Sequence, residues 1–281
     1  MTVSPTARSD WGAVRANGID IHYRIDGTDG SWVVLAHALG VDHRLWDDIA
    51  ARLSDRHRVL RYDARGHGKT SAPHGAYTLF QMADDVAGLL DALSIAQVHF
   101  VGLSMGGMVG QILGVRHPQR LLSLTLCDTV CYTPVSAHAM WDERIGQVEA
   151  HGMSGIVEPT IQRWLTTPFR EAHPDAVERI RALLRATPPH GYVGACLAIK
   201  ALDTRGSLER IACPTLVMTG DQDTGAPVEV AREIATHIPN ARLKVMSHAA
   251  HLAPVEQEEA FLTALDEFLG HAGCGSQCDT P

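Results

Sequence analysis

The chain has 281 residues, of which 45% are hydrophobic and 20% charged, a composition that excludes a disordered chain and suits one enlarged domain better than two full-sized ones. Lys plus Arg number 24 against 32 Asp plus Glu, a net charge of −8, so no basic surface is expected for nucleic acid or an anionic membrane. Sixteen histidines leave a metal or acid–base role open.

The first residues, MTVSPTARSDWGAV, lack a continuous apolar segment, and no later stretch approaches the roughly 20 apolar residues of a membrane span. Neither a secretory leader nor a membrane anchor is therefore expected. Residues 19–25 (IDIHYRI) alternate apolar and polar, the pattern of an antiparallel edge strand. WVVLA (32–36), RVLRYD (58–63), FVGL (100–103), LLSLTL (121–126), PTLVMTG (214–220) and ARLKVMS (241–247) complete the strand set, several of them short continuous apolar runs as buried parallel strands require. Helical periodicity fills 42–53, 78–93, 105–116, 227–238 and 255–269 between them. In the second, Leu79, Met82, Val86, Leu89, Leu90 and Leu93 form one stripe. Strands alternating with helices of this length predict a mostly parallel sheet covered on both faces.

Residues 132–205 break the rhythm. They hold helical pieces at 139–150, 154–166 and 174–186, interrupted by prolines, and no convincing strand. Chemistry in open α/β sheets sits at the carboxyl edge, so this segment is expected to form a lid there. The six cysteines (Cys127, Cys131, Cys196, Cys213, Cys274, Cys278) are scattered over a long chain without a leader, which points to reduced thiols and the cytoplasm. Cys274 and Cys278 lie in a Gly-rich tail, GHAGCGSQCDTP, expected to be disordered; with His271 their spacing fits no four-ligand metal site.

Gly102-Leu103-Ser104-Met105-Gly106 is a G-x-S-x-G motif after an apolar strand and before a helix. The sharp turn forces Ser104 into a strained backbone, and glycines two residues either side avoid collision. A serine nucleophile needs a base and an orienting acid, in the chain order Ser, acid, His. Gly220-Asp221-Gln222-Asp223 follows the strand at 214–220; Asp223 is favoured, and Asp221 is read as bracing the loop. Ser247-His248-Ala249-Ala250-His251 follows the last strand, and His251 is favoured over a solvent-facing His248. His248-x-x-His251 lacks the third ligand of a zinc site, and H-E-x-x-H is absent. Backbone amides of Met105 and, in His37-Ala38-Leu39-Gly40, of Leu39 would form an oxyanion hole, with Gly40 turning the chain away. His37 is read as a loop brace. The run Tyr62-Asp63-Ala64-Arg65-Gly66-His67-Gly68 lacks the G-x-x-x-x-G-K-[ST] of a phosphate loop and is read as a packed turn with an Asp63–Arg65 contact. The other histidines, His43 and His99 among them, show no cluster spacing and are assigned to surface or loops.

HALG, YDARGHG, GLSMGG, GDQD and AAHLAPVEQ, in that order over about residues 11–270, resemble the α/β-hydrolase superfamily. Within it, HALG-VD, GLSMGGMVGQ and AAHL-x-x-VEQ, together with the segments around Trp141, Arg144, Arg163-Trp164 and ATPPHGYVGAC, are most similar to 3-oxoadipate enol-lactonases and related cofactor-free esterases and perhydrolases. The resemblance implies an eight-stranded, mostly parallel sheet flanked by helices, with a helical cap after the sixth strand. The core would be 1–131 plus 206–270, the cap 132–205 and the tail 271–281. It places nucleophile, acid and base on Ser104, Asp223 and His251, without cofactor or metal. The substrate it implies is a small-molecule ester or lactone, first a carboxylated enol lactone of aromatic-ring degradation (the β-ketoadipate pathway). A carboxylated substrate needs a cation; Arg144 is the first candidate and Trp141 a wall, the alternative being cap surface and packing. A general carboxylesterase, another lactonase or a perhydrolase would use the same triad, and a non-enzymatic receptor would not need it. Dehalogenases and epoxide hydrolases, with Asp in place of Ser104, are excluded.

Overall fold

The computed structural model describes residues 10–274. Its one sheet contains β1 (Asp10–Ala16), β2 (Ile19–Asp26), β3 (Trp32–Ala36), β4 (Arg58–Tyr62), β5 (Val98–Leu103), β6 (Leu121–Cys127), β7 (Thr215–Gly220) and β8 (Arg242–Met246). They lie in the order β1-β2-β4-β3-β5-β6-β7-β8. β2 is antiparallel to both neighbours, and every pairing from β4 to β8 is parallel. β2 is thus antiparallel as expected, but it is not the edge. β1 covers its outer side, from Asp10 opposite Ile25 to Ala16 opposite Ile19. Only Ala16 of DWGAVRA is buried, so β1 lacks the apolar run that marks the inner strands.

The helices are α1 (Asp47–Leu53), α2 (Leu79–Ala92), α3 (Met105–Arg116), α4 (His138–His151), α5 (Val157–Trp164), α6 (Thr167–Ala172), α7 (Pro174–Ala186), α8 (Pro189–Lys200), α9 (Val228–His237), α10 (Ala253–Glu256) and α11 (Glu258–Cys274). α4 to α8 all fall between β6 and β7, and α6 and α8 are additions to the helical pieces read from the sequence. The helix expected over 255–269 is two helices separated at Gln257. The second runs to Cys274, so residues 271–274, assigned to the tail, are helical. The Cys274 side chain and Cys278 lie outside the described residues. No helix among the described residues is long and apolar enough to cross a membrane.

Successive residues of β3 feed opposite cores, as the two-residue period of a strand requires. Val34 and Ala36 join Leu60, Phe100, Val86 and Leu89 on one face. Val33 and Leu35 join Trp46, Leu53, Phe261 and Leu265 on the other. Each of the fully buried Val, Leu and Phe side chains contributes about 1.5–3 kcal/mol relative to exposure. α2 starts where it does because Thr78 and Gln81 form a reciprocal capping box. With both faces covered, the loops at the carboxyl ends of β3, β5, β6, β7 and β8 are left to build a site beneath α4–α8.

Candidate active site

β5 ends at Leu103 and α3 begins at Met105, which leaves Ser104 alone to make the turn, at φ 54° and ψ −112°. A non-glycine residue at positive φ is strained and persists only where its surroundings over-determine it. They do here. The Ser104 N–H donates to the Cys127 carbonyl at 2.8 Å, and Thr129 Oγ1 donates to the Ser104 carbonyl at 2.8 Å. A Cβ at Gly106 would lie 2.3 Å from the Ala36 oxygen, and one at Gly102 would lie 2.3 Å from the Gly106 oxygen. Backbone fills the space around the elbow, and the Ser104 hydroxyl is what projects from it.

His251 Nε2 lies 2.9 Å from Ser104 Oγ, and its Nδ1 lies 2.7 Å from Asp223 Oδ2. Between the two candidate acids, the geometry favours Asp223. Asp221 Oδ1 instead accepts from the Ala249 N–H at 3.3 Å, and His248 is exposed. Asp223 Oδ1 accepts the Gly225 N–H at 2.8 Å. Burial works to raise the Asp223 pKa, but the charge and hydrogen bond of His251 and the nearby amides outweigh it and hold it below the usual carboxylate range. A proton accepted at His251 Nε2 is therefore stabilised across the ring by a carboxylate that stays ionised.

Leu39 lines the same cavity as Ser104, and Met105 is the first residue of α3. Among the described residues neither amide N–H has a backbone acceptor, so both remain free to donate. The loop carrying Leu39 is held by two buried histidines. His37 Nδ1 lies 2.8 Å from the Ala38 carbonyl, and its Nε2 accepts the Ala64 N–H at 2.9 Å. His67 Nδ1 lies 3.0 Å from the Arg65 carbonyl, and its Nε2 accepts the Gly40 N–H at 3.0 Å. A carbonyl can only accept and an amide N–H only donate, so both rings are neutral with the proton on Nδ1. Burial lowers both pKa values, that of His67 to about 3. Gly40 sits at φ +82°, the turn expected of it.

The Asp63–Arg65 contact expected within YDARGHG is absent, because each side chain has a more distant partner. Asp63 accepts His43 Nδ1 at 2.7 Å, His22 Nδ1 at 3.1 Å, and the His43 and Lys69 amides at 3.0 and 2.9 Å. Arg65 grips Asp85 through two bonds of 2.8 and 2.6 Å. His43 and His99 are likewise buried at 3% exposure each, not at the surface. His22, His43 and Asp63 are close enough to suggest a metal site. Four N–H donors, however, already fill the four acceptor positions of the carboxylate.

Over Ser104 lies a cavity of about 430 Å³. Trp141 and Arg144 of α4 both line it, and so do Arg163 and Trp164 at the end of α5. The Arg144 guanidinium stands 5.3 Å from the centre of the Trp141 ring, and the Trp164 ring is 5.9 Å from that of His251. Among the described residues neither Arg144 nor Arg163 is paired with a carboxylate. Burial, then the charge of Arg144, pulls the Arg163 pKa down to about 10. The second guanidinium was not singled out from the sequence; the adjacent Arg163-Trp164 pair was the available sign. Also unforeseen is Asp128, fully buried at the end of β6 at φ 46°. Its Oδ1 accepts the Gly220 N–H at 2.8 Å, and its Oδ2 has no partner among the described residues. Burial and the neighbouring Asp223 raise its pKa well above the usual range.

The family described as alpha/beta hydrolase fold matches residues 31–258. The chain is 33% identical over 255 residues to 3-oxoadipate enol-lactonase 2 of Acinetobacter baylyi, covering 90% of this chain and 94% of the relative. The crystal structure of the enol-lactonase from Burkholderia xenovorans superposes with a TM-score of 0.89 at 37% identity, covering 92% of this chain and all of that one. A thermophilic esterase from Thermogutta terrifontis, solved with malate bound, gives 0.88 at 31% identity, covering 94% of this chain and 99% of that one.

Proposed function

We propose that this chain, which belongs to the α/β-hydrolase family, is a serine hydrolase of carboxylic esters whose favoured reaction is the opening of 3-oxoadipate enol-lactone to 3-oxoadipate. Ser104 Oγ attacks the lactone carbonyl while His251 Nε2 takes the hydroxyl proton, and Asp223 holds the ring in the required tautomer. The Leu39 and Met105 amides receive the developing oxyanion; one such donor is worth about 2.7–4 kcal/mol in the transition state. Collapse breaks the ring C–O bond. The enol oxygen leaves with the proton from His251 and tautomerises to the ketone. Water, deprotonated by His251, then attacks the acyl-enzyme, and the proton returns to Ser104 as the diacid departs.

The observation that carries an acidic substrate is the pair of unpaired guanidiniums, Arg144 and Arg163, lining the cavity over Ser104 in a chain of net charge −8. A carboxylate there forms charge-assisted hydrogen bonds worth about 1.5–3 kcal/mol each. The test follows enol-lactone absorbance beside hydrolysis of neutral 4-nitrophenyl acetate, for wild type and Arg163→Ala. The lactone is expected to be preferred, and the variant to raise its KM about tenfold or more with the neutral ester little changed. Equal preference, or an unchanged KM, refutes the assignment. A second reading, a broader carboxylesterase or lactonase, is favoured by the apolar wall of Met108, Val130 and Ile199 and by the exposed Met140 at the rim. Among the described residues Cys127, Cys131, Cys196 and Cys213 are free thiols, which supports a reducing, cytoplasmic setting.

A further inference from the structure

Glu256, the last residue of α10, is not part of the triad, yet its carboxylate touches the loop that carries the base. Oε2 accepts the Ala250 N–H at 2.7 Å, one residue before His251. Oε1 accepts the Thr166 N–H at 2.6 Å, two residues after Trp164 and three after Arg163. A parallel stitch runs from the Leu252 N–H to the Trp164 carbonyl at 3.1 Å. The two peptide segments therefore hold each other beside the Trp164 and His251 rings, whose centres are 5.9 Å apart with the planes tilted by 30°. Thr166 opens α6 and has no other acceptor for its amide among the described residues. Burial pushes the Glu256 pKa up while the Ala250 and Thr166 amides oppose it.

We propose that Glu256 is a positioning residue that ties the segment bearing Arg163 and Trp164 to the loop bearing His251, so that binding of the substrate's acid group and alignment of the base are coupled; the acid-binding half rests on the function proposed above. Two acceptor oxygens are needed. One amide N–H comes from the lid and one from the catalytic loop, and only a carboxylate of this reach accepts both. Displacement of a positioned group by about 1 Å can cost 10²-fold in rate, which makes the coupling measurable. Glutamine at 256 is isosteric but offers one acceptor, and turns an NH₂ toward one of the two N–H donors.

The lid arm can be cut by itself. Thr166 sits at φ −61° and ψ 152°, and Leu165 before it at φ −128° and ψ 137°, so Thr166→Pro suits both residues' backbones; it deletes the N–H and sets a ring Cδ in its place, from which Glu256 Oε1 must withdraw. It also removes the hydroxyl that accepts the Phe169 N–H at 3.3 Å. Thr166→Ala loses that hydroxyl but keeps the N–H, and is the reference.

Wild type, Glu256→Gln, Thr166→Ala and Thr166→Pro are compared on 4-nitrophenyl acetate and mono-4-nitrophenyl succinate. Rates are expressed per active site counted from the 4-nitrophenol burst, so loss of folded enzyme does not enter. Thr166→Pro is expected to raise KM for the succinate at least fivefold over Thr166→Ala, with kcat for the acetate within twofold. Glu256→Gln is expected to lower kcat for both esters at least tenfold and to raise the succinate KM as well. A succinate KM equal in Thr166→Pro and Thr166→Ala overturns the coupling, as does a Glu256→Gln enzyme with wild-type constants per site. A wild type that handles both esters alike refutes the acidic substrate instead. Positioning is then judged on acetate kcat alone, and a fall below tenfold in Glu256→Gln overturns it.

Discussion

His67 holds the loop that carries Leu39 through a neutral ring, and that state makes the protein sensitive to acid. The unfolded chain takes up the proton near the ordinary pKa of 6.5, whereas burial lowers the folded value to about 3. Below pH 6.5 the unfolded state therefore binds more protons, and stability falls with pH until the native ring itself protonates near 3. At pH 5 the loss from this one group is about 2 kcal/mol. His67→Gln isolates it: the amide oxygen can accept the Gly40 N–H in place of Nε2, but it does not titrate. Urea unfolding at pH 8 and pH 5 should give wild type a drop about 2 kcal/mol larger than that of the variant. At pH 8, kcat on an activated ester should stay within roughly fivefold of wild type, an outcome consistent with a kept loop hydrogen bond. His67→Leu should differ: it leaves the Gly40 N–H buried without an acceptor, at a cost of about 1–3 kcal/mol at either pH. If wild type and His67→Gln lose the same stability between the two pH values, the ring is not a neutral acceptor and the account of the loop is wrong.

Two further predictions concern the elbow. Ser104→Ala should lower turnover of an activated ester by about 10⁴-fold or more with an unchanged far-UV circular dichroism spectrum; wild-type turnover would refute the mechanism. Gly106→Ala should destabilise by about 3 kcal/mol or more, because its Cβ meets the Ala36 oxygen at 2.3 Å within a strand that cannot retreat. A denaturation midpoint matching wild type would mean that the elbow has more room than a 2.3 Å contact leaves.

The inner strands and the three side chains brought together at Ser104, Asp223 and His251 were legible for the same reason. Each depends on residues adjacent in sequence: a continuous apolar run, a Gly-flanked serine, an Asp three residues past a strand end, a His after two small residues. What escaped was decided by pairing across distance. Asp63 reaches His22, and Arg65 reaches Asp85, partners 41 and 20 residues away, so the nearer Asp63–Arg65 pair, plausible locally, loses. β1 escaped because its less exposed positions, Gly12, Val14 and Ala16, are too small to mark an apolar alternation against the exposed Trp11 and Ala13. Histidine burial is likewise invisible locally: His37, His43, His67 and His99 are interior only because the sheet and its loops close over them. Glu256 could be read as a helix residue, but its bond to Thr166 spans 90 positions.

The two cavity arginines also bear on how selectivity would arise. Most arginines of this acidic chain are neutralised where they stand, as Arg61 is by Asp26 and Arg181 by Glu158. Arg144 and Arg163 are not, and burial together with mutual repulsion already makes the charge on Arg163 easier to lose. An unpaired, partly desolvated cation is a cost carried by the free enzyme. A carboxylate entering the cavity removes that cost, and a neutral ester leaves it in place. Preference for an acidic substrate then rests on relief of an unfavourable free state as well as on the new hydrogen bonds. Because the cations sit on α4 and α5, and Ser104, Asp223 and His251 at the carboxyl ends of the strands, such a preference would be free to change through the inserted helices without disturbing those three side chains.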